Sequence, residues 1–232
     1  VTSWNYVGEY LESISFTAPR MLDEDAVKGW VQQRPVDPPL CVALRERPAL
    51  IAVTCAYGED ADDAGREAAK QLDAAVDEGL DALQERTRRW WSAYWSAVPS
   101  IDVPNDRLQF LYEYGMYKFA GLTNPSGVPA TLQGPWIEEY QMPPWSSDYH
   151  FNINVQMCYW PAYHGNRPEH LRPLFDLIMS WEDTLRHNAR VFLGIEDGLM
   201  LPHAVDDRCV CMGGFWTGSV DHGCTAWVAQ MM

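Results

Sequence analysis

The chain has 232 residues, and 47% of them are hydrophobic, which is enough to form a packed core and argues against a disordered protein. The formal net charge of −15, with no basic cluster beyond Arg88-Arg89, argues against a nucleic acid or an anionic membrane as partner. No run of about 18 apolar residues occurs, so the sequence predicts no membrane-spanning helix.

Residues 1–58 are predicted to be the end of a β domain. They carry short β-type runs, of which "ALIAVTCAYG" (49–58) is the clearest, separated by Pro-rich turns such as "RPVDPP". Val1 is not a methionine, and the pattern at Met232 is that of a helix that continues, so we interpret the chain as an internal segment of a longer protein. This interpretation leaves an exported and a cytoplasmic location both open.

Residues 59–99 are predicted to form a long amphipathic helix. Apolar side chains recur at three- and four-residue steps after an acidic first turn, and Pro99 ends the pattern. A helix of this kind usually connects two domains and packs on a neighbour, so we interpret it as a linker. The apolar residues in register are Ala68, Leu72, Val76, Leu80, Leu83, Trp91 and Trp95.

From residue 100 onward, predicted helices alternate with long loops. A helix is expected at 105–122, with Asn105 or Asp106 as its cap. Prolines and glycines interrupt 123–147, and a loop of that length inside a compact chain usually has a function. A longer amphipathic helix is expected at 168–192 and a last one from Cys224. The apolar residues in register at 168–192 are Leu171, Leu174, Ile178, Trp181, Leu185 and Ala189.

Aromatic residues and cysteines are numerous. Most of the 11 Trp and 11 Tyr should be core, but rings left exposed beside polar groups suit sugars, whose C–H faces stack on them. Cys41, Cys55 and Cys158 lie in apolar runs and are predicted to be buried. Cys209-x-Cys211 with a nearby His or Cys fits no common zinc template, so we predict no metal and no cofactor. The residues weighed as partners for that pair are His203, His222 and Cys224.

The segment "SDYHFNINVQMCYW" (147–160) changes character halfway. His150, Asn152 and Asn154 alternate with two apolar residues, which predicts that three polar side chains share one face of an extended segment before a helix begins. Two asparagines near a helix start are most often caps or turn formers. Asp148 and the loop acids Glu138 and Glu139 are assigned no catalytic role.

The longer stretch "GVPATLQGPWIEEYQMPPWSSDYHFNINVQMCYWPA" resembles the central motif of glycoside hydrolase family 95, the inverting α-L-fucosidases. That motif reads P-A-x-L-Q-G-x-W, then P-P-W, then Y-H-x-N-I-N-x-x-M-x-Y-W-P-A. The match is dense over 129–162 and looser in the helices on either side. The resemblance implies a mainly α chain. In it, 1–58 ends a β domain, 59–99 is a helical linker and 100–232 is the first part of an (α/α)6 catalytic barrel.

The resemblance also implies a mechanism. Inversion at a glycoside needs an acid that protonates the leaving oxygen and a base that activates a water on the opposite face, normally two carboxylates. In the resembling family an asparagine holds the water and a downstream aspartate makes it more basic, so Asn152 and Asn154 are expected to be catalytic. The family's general-acid glutamate and its activating aspartate are expected beyond Met232.

The remaining residues of the motif are expected to bind the sugar. His150 would bind hydroxyl groups, and Trp136 and Trp145 lie in a loop, where core packing explains a ring less well. The stretch "WTGSVDHGCTAW" (216–227) departs from the Gly-Gly-Ala-Trp expected there, so Asp221 and His222 are either substrate contacts or a helix cap. The expected substrate-binding residues are His150, Gln133, Trp136, Trp145, Trp160, Asp221 and His222.

The expected function is an exo-glycosidase that hydrolyses terminal α-L-fucosyl or α-L-galactosyl residues of an oligosaccharide or glycoconjugate. The two sugars differ by one oxygen at C6. A glycoside phosphorylase would need converging anion donors, and the sequence has no such cluster. The alternative is a catalytically inactive carbohydrate-binding or helical structural protein. No nucleic-acid or membrane partner is expected, and no pattern fixes an oligomeric state.

Overall fold

The computed structural model describes residues 13, 15–24, 27–134, 143–212 and 219–232. About half of them are helical, and the remainder includes one small sheet and a short two-stranded ribbon. The chain divides into two compact units, Val1–Ala93 and Tyr94–Met232. Within the described ranges, every helix is too short or too polar to cross a membrane.

The first unit contains an antiparallel sheet of four strands that follow one another in sequence order. The strands are β1 (Arg20–Glu24), β2 (Val27–Gln32), β3 (Leu40–Arg47) and β4 (Leu50–Tyr57). The run at 49–58 is thereby confirmed as a strand. Ala49, with φ of 63°, makes the tight connection between β3 and β4. Among the described residues β1 and β4 are the outer strands, and the four strands form a simple meander of local contacts.

One face of this sheet is covered by helix α1 (Ala61–Glu78). The Asp60 carboxylate caps the helix, since it accepts from the backbone N–H groups of Asp62 (2.9 Å) and Asp63 (2.7 Å). The helix and the sheet share one apolar core, which is the layered arrangement that buries a one-sided sheet. Its buried members are Val27, Val31, Cys41, Ala43, Ala56, Ala64, Ala68 and Leu72.

The opposite face, which we call the outer sheet face, is apolar and exposed. Side chains alternate along β4, so Ile51, Val53, Cys55 and Tyr57 all point away from α1. Ile51 and Val53 are each 64% exposed. The prediction that Cys55 is buried is therefore wrong, because an apolar run alone does not tell which face of a strand is covered.

The single helix predicted for 59–99 is two helices. Helix α1 ends at Gly79, and helix α2 (Leu80–Ala97) begins directly after it. Gly79 has φ of 79° and ψ of 160°, a conformation that side chains with a Cβ rarely adopt, so the helical path breaks there.

The second unit is built from short helices and turns. Helix α3 (Asp106–Leu122) is capped by Asn105, whose side chain accepts from the N–H of Arg107 (3.0 Å) and Leu108 (3.1 Å), as predicted. The elements that follow are β5 (Tyr149–His150), α4 (Asn154–Tyr159), α5 (Pro161–His164), α6 (Arg172–Ser180), α7 (Glu182–Asn188), β6 (Ala204–Val205) and α8 (Cys224–Met231).

The helix expected at 168–192 is present as consecutive pieces. A helical turn at Pro168–Leu171 leads into α6 and α7, and a π-helical turn at Ala189–Leu193 ends the run. All six predicted apolar positions of this run are buried, so the predicted stripe is confirmed. The indole N–H of Trp181, at the junction of α6 and α7, donates to the Asp207 carbonyl (3.1 Å) and fixes the break.

Candidate active site

The two asparagines lie in a turn and at a helix start. The strand β5 ends at His150, residues 151–153 form a turn, and Asn154 is the first residue of α4. The predicted extended alternation through Asn154 is therefore wrong. A buried amide explains the turn, because Gln156 Nε2 donates to the Phe151 carbonyl (2.5 Å) and folds the chain back.

Neither asparagine acts as a helix cap. The residue that precedes α4 is Ile153, and no side chain caps that helix. Asn152 and Asn154 are both exposed, and their carboxamides make no hydrogen bond to the described part of the chain. An amide that caps or closes a turn would be engaged, so these two groups are free to bind something else.

His150 lies where two distant segments meet. The strands β5 and β6 pair His150 with Ala204, and the Phe151 N–H donates to the His203 carbonyl at 2.7 Å. The His150 ring meets the rings of Trp145 and His203 edge to face, each at a centroid distance of 5.9 Å. Its Nε2 is buried and has no hydrogen-bond partner among the described residues.

The charge state of His150 follows from this environment. Burial, and secondly the charge that His203 can carry, lower the pKa of His150 below its ordinary 6.5. The ring is therefore neutral near pH 7. A neutral imidazole has one donor and one acceptor nitrogen, which suits a sugar hydroxyl.

Trp145 is presented by an unusual turn at Pro144–Ser147. Trp145, Ser146 and Ser147 have φ of 54°, 54° and 57°, three left-handed non-glycine residues in a row. Such residues cost on the order of 1–3 kcal/mol each and cluster at functional sites. The buried Ser147 hydroxyl holds the turn, since it bonds Thr131 Oγ1 (2.7 Å) and accepts from the Gln133 N–H (3.3 Å).

The other aromatic and amide candidates are placed as follows. Gln133 is exposed and joined to the Trp145 turn through Ser147, so these two candidates lie in one hydrogen-bonded segment. Trp160 is 43% exposed and contacts Trp227 edge to face at 6.1 Å. Trp136 lies outside the described residues.

Asp221 lies in the turn before α8 but does not cap that helix. Gly223 precedes the helix, which no side chain caps, and one Asp221 carboxylate oxygen accepts from the Gly223 N–H (2.9 Å). The other lies 3.5 Å from His203 Nδ1, so Asp221 also reaches the surroundings of His150. His222 is exposed. In the described part of the chain, no three His, Cys, Asp or Glu side chains are arranged to hold a metal ion.

The sequence does not assign His203 to the predicted sugar site. Local spacing groups it with Cys209 and Cys211 instead. Its contacts are with residues about fifty positions earlier and about twenty positions later in the chain. No local pattern reports contacts of that separation.

One known family matches more than half of this chain. The Glycosyl hydrolase family 95 catalytic domain matches residues 78–232. The chain belongs to glycoside hydrolase family 95. It is 36% identical over 89 residues to the probable alpha-fucosidase A of Aspergillus niger, a match that covers 38% of this chain and 11% of that protein.

Two further relatives of this family 95 chain carry related names. Over 100 residues it is 36% identical to the alpha-L-fucosidase 2 of Arabidopsis thaliana, which covers 43% of the chain and 12% of that protein. Over 54 residues it is 39% identical to the probable alpha-fucosidase A of Aspergillus oryzae, a match that covers 23% of the chain and 7% of that protein. The family 95 chain thus spans only a small part of the length of these relatives.

Proposed function

We propose that this chain forms part of an exo-glycosidase that hydrolyses terminal α-L-fucosyl residues of glycans. Membership of family 95 and the names of the three relatives support the substrate class. α-L-Galactosyl residues are the competing substrate, since they differ only by an oxygen at C6. The observation that carries the catalytic part is the pair of exposed, unengaged carboxamides of Asn152 and Asn154 beside a neutral His150.

Hydrolysis proceeds with inversion in this proposal. The carboxamide oxygens of Asn152 and Asn154 accept hydrogen bonds from a water and hold it against one face of the sugar ring. An amide is a weak base, so it needs a carboxylate that polarises it. As the resemblance implies, that aspartate and the general-acid glutamate are expected from parts of the longer protein outside this chain.

The sugar is bound by neutral polar groups and rings. His150 binds a hydroxyl group, and the exposed Trp145 ring offers a face to the C–H groups of the pyranose. Gln133, Trp136, Trp160 and His222 complete the proposed substrate contacts, and Asp221 acts on the sugar either directly or through a neighbouring residue. We place this site on the first part of an (α/α)6 barrel at 100–232, preceded by a linker at 59–99 and the end of a β domain at 1–58. The helix-rich second unit supports this assignment.

The test is kinetics on the full-length protein with Asn152→Ala and Asn154→Ala. Loss of a positioned base lowers kcat by roughly two to four powers of ten, whereas KM moves much less because the water rather than the sugar loses its partner. Gln84→Ala, which removes another exposed carboxamide, is the matched control and should keep the parental kcat. Near-parental kcat in both asparagine variants, with intact thermal melts, would show that the amides only shape the turn.

A catalytically inactive carbohydrate-binding protein is the second candidate, because the exposed Trp145 beside His150 suits sugar binding with or without catalysis. Titration calorimetry with L-fucose and turnover of a 4-nitrophenyl α-L-fucoside separate the two. Binding without turnover by the full-length protein would establish the second candidate.

A further inference from the structure

Three polar side chains form a continuous series beside the proposed sugar site. Asp221, just before α8, faces His203 with an oxygen 3.5 Å from Nδ1. The His203 ring then meets the His150 ring edge to face at a centroid distance of 5.9 Å. Only His150 belongs to the family motif on which the proposed function depends.

The Asp221 carboxylate is itself fixed. Its other oxygen accepts from the Gly223 N–H at 2.9 Å, which ties it to the start of α8. Burial and, secondly, the charge of Asp221 raise the pKa of the neighbouring Cys224 to about 12. That thiol therefore stays protonated beside the carboxylate. A carboxylate facing Nδ1 keeps the proton on that nitrogen and leaves Nε2 of the same ring as an acceptor.

His203 is held at its backbone as well as at its ring. Its carbonyl accepts from the Phe151 N–H at 2.7 Å, directly after His150. Its side chain is only 19% exposed, so it has little freedom to turn. The backbone bond and the burial of the side chain therefore set the orientation of the His203 ring relative to His150.

His150 needs such support. Its Nε2 is buried without a hydrogen-bond partner among the described residues, and an unsatisfied buried polar atom has a free-energy cost. A polar ligand that reaches this nitrogen would remove that cost. The rings of Trp145 and His203, which contact His150, are what keep it from turning to another partner.

We propose that His203 and Asp221 are positioning residues for His150: Asp221 fixes the tautomer and orientation of His203, and His203 holds the His150 ring in place to meet a sugar hydroxyl. They have this role in sugar binding only if His150 binds the sugar, so the inference rests on the proposed function. It differs from a direct role for Asp221, since Asp221 acts here through His203.

The first experiment does not depend on activity. In full-length protein with ¹³Cε1-labelled histidine, NMR titration follows the His150 resonance, which His150→Gln identifies by its loss. His203→Gln should raise the apparent pKa of His150, because the electrostatic effect of the neighbouring ring that helps to lower it is gone. His187→Gln removes an exposed histidine and should leave the His150 titration unchanged.

The second experiment measures sugar binding and kinetics. His203→Gln and Asp221→Asn should each weaken L-fucose binding by about tenfold and raise KM, with kcat little affected, since about one hydrogen bond is lost. The double variant should bind no worse than His203→Gln alone, because the two residues act in series. Asp197→Asn, at a fully exposed carboxylate, is the control.

Two results would overturn the inference. Unchanged His150 titration and unchanged KM in His203→Gln would show that His203 does not act on His150. Additive losses in the double variant would show that Asp221 contacts the sugar independently. If the parent protein binds no fucose at all, the proposed function fails, and the NMR titration alone decides whether His203 positions His150.

Discussion

Gln156 is the side chain on which the turn before α4 depends. It is 1% exposed, and its Nε2 donates to the Phe151 carbonyl, while its Oε1 is buried without a hydrogen-bond partner in the described part of the chain. A half-satisfied buried amide is tolerated only where the bond it does make is needed. Here that bond closes the turn that exposes Asn152.

Replacing Gln156 by Leu should therefore destabilise the protein. The Phe151 carbonyl would lose its donor inside the fold, which lowers the free energy of unfolding by about 1–3 kcal/mol. Urea unfolding measures this change. Gln230→Leu on α8 alters an exposed amide and should stay within about 0.5 kcal/mol of the parent. Equal midpoints for both variants would contradict this role of Gln156.

His170 makes stability depend on pH. It is 2% exposed, its Nδ1 lies 3.0 Å from Thr123 Oγ1, and burial lowers the pKa of the ring below its ordinary 6.5. The unfolded chain then binds more protons than the folded chain just below pH 6.5, so the free energy of unfolding falls as the pH drops through that window. His150 contributes with the same sign.

Urea midpoints at about pH 7.5 and about pH 5.5 test this dependence. His170→Gln cannot titrate and should lose less stability between the two pH values than the parent protein loses. His187→Gln, at an exposed histidine, should keep the parental difference. A parental difference in His170→Gln would mean that other groups cause the acid sensitivity.

At the scale of elements, the break between α1 and α2 can be tested with two glycines. Gly79 has φ of 79° and ψ of 160°, which an alanine adopts only at a cost of about 1–3 kcal/mol. Gly65 lies inside α1 with no atom within 4 Å of an added Cβ, so alanine there should stabilise the helix by up to about 1 kcal/mol. Thermal melts of Gly79→Ala and Gly65→Ala should thus shift in opposite directions. A stabilised Gly79→Ala would mean that the two helices can merge.

The elements that depend on local signals could be predicted from the sequence. The Asn105 cap and the apolar stripe on α6 and α7 follow from spacing alone, and both are confirmed. The break at Gly79 could not be predicted, because an isolated glycine inside a helical pattern is often tolerated. The early end of β5 could not either, since its partner β6 lies about fifty residues away.

In the candidate site, too, only the residues with a local signal could be predicted from the sequence. An irregular motif pointed to His150 and the two asparagines, whereas His203 has no local signal. Its contacts with His150 and Asp221 exist only once distant segments have come together.

For the whole molecule, the outer sheet face is the feature that most favours self-association. It combines exposed apolar side chains with β4, which is an edge strand within the described residues, and both features favour association. The 232-residue chain expressed alone should self-associate despite its charge of −15. Light scattering after size exclusion should show less association when Ile51 and Val53 are both replaced by Lys.

The control for that substitution is Asp77→Lys, which changes the net charge by the same two units on the exposed side of α1. It should not reduce association, because the polar side of α1 offers neither an edge nor an apolar patch. Equal effects of the two changes would assign the association to net charge rather than to the outer sheet face.

The pairing of β5 with β6 also sets an order of events during synthesis. About seventy residues separate His150 from Asp221, and a ribosome adds roughly 5–20 residues each second. The half of the proposed site around His150 is therefore made several seconds before His203 and Asp221 exist. During that interval the nascent chain carries Tyr149 and Phe151, and later Trp181, without their final cover, which makes this stretch a natural binding site for chaperones.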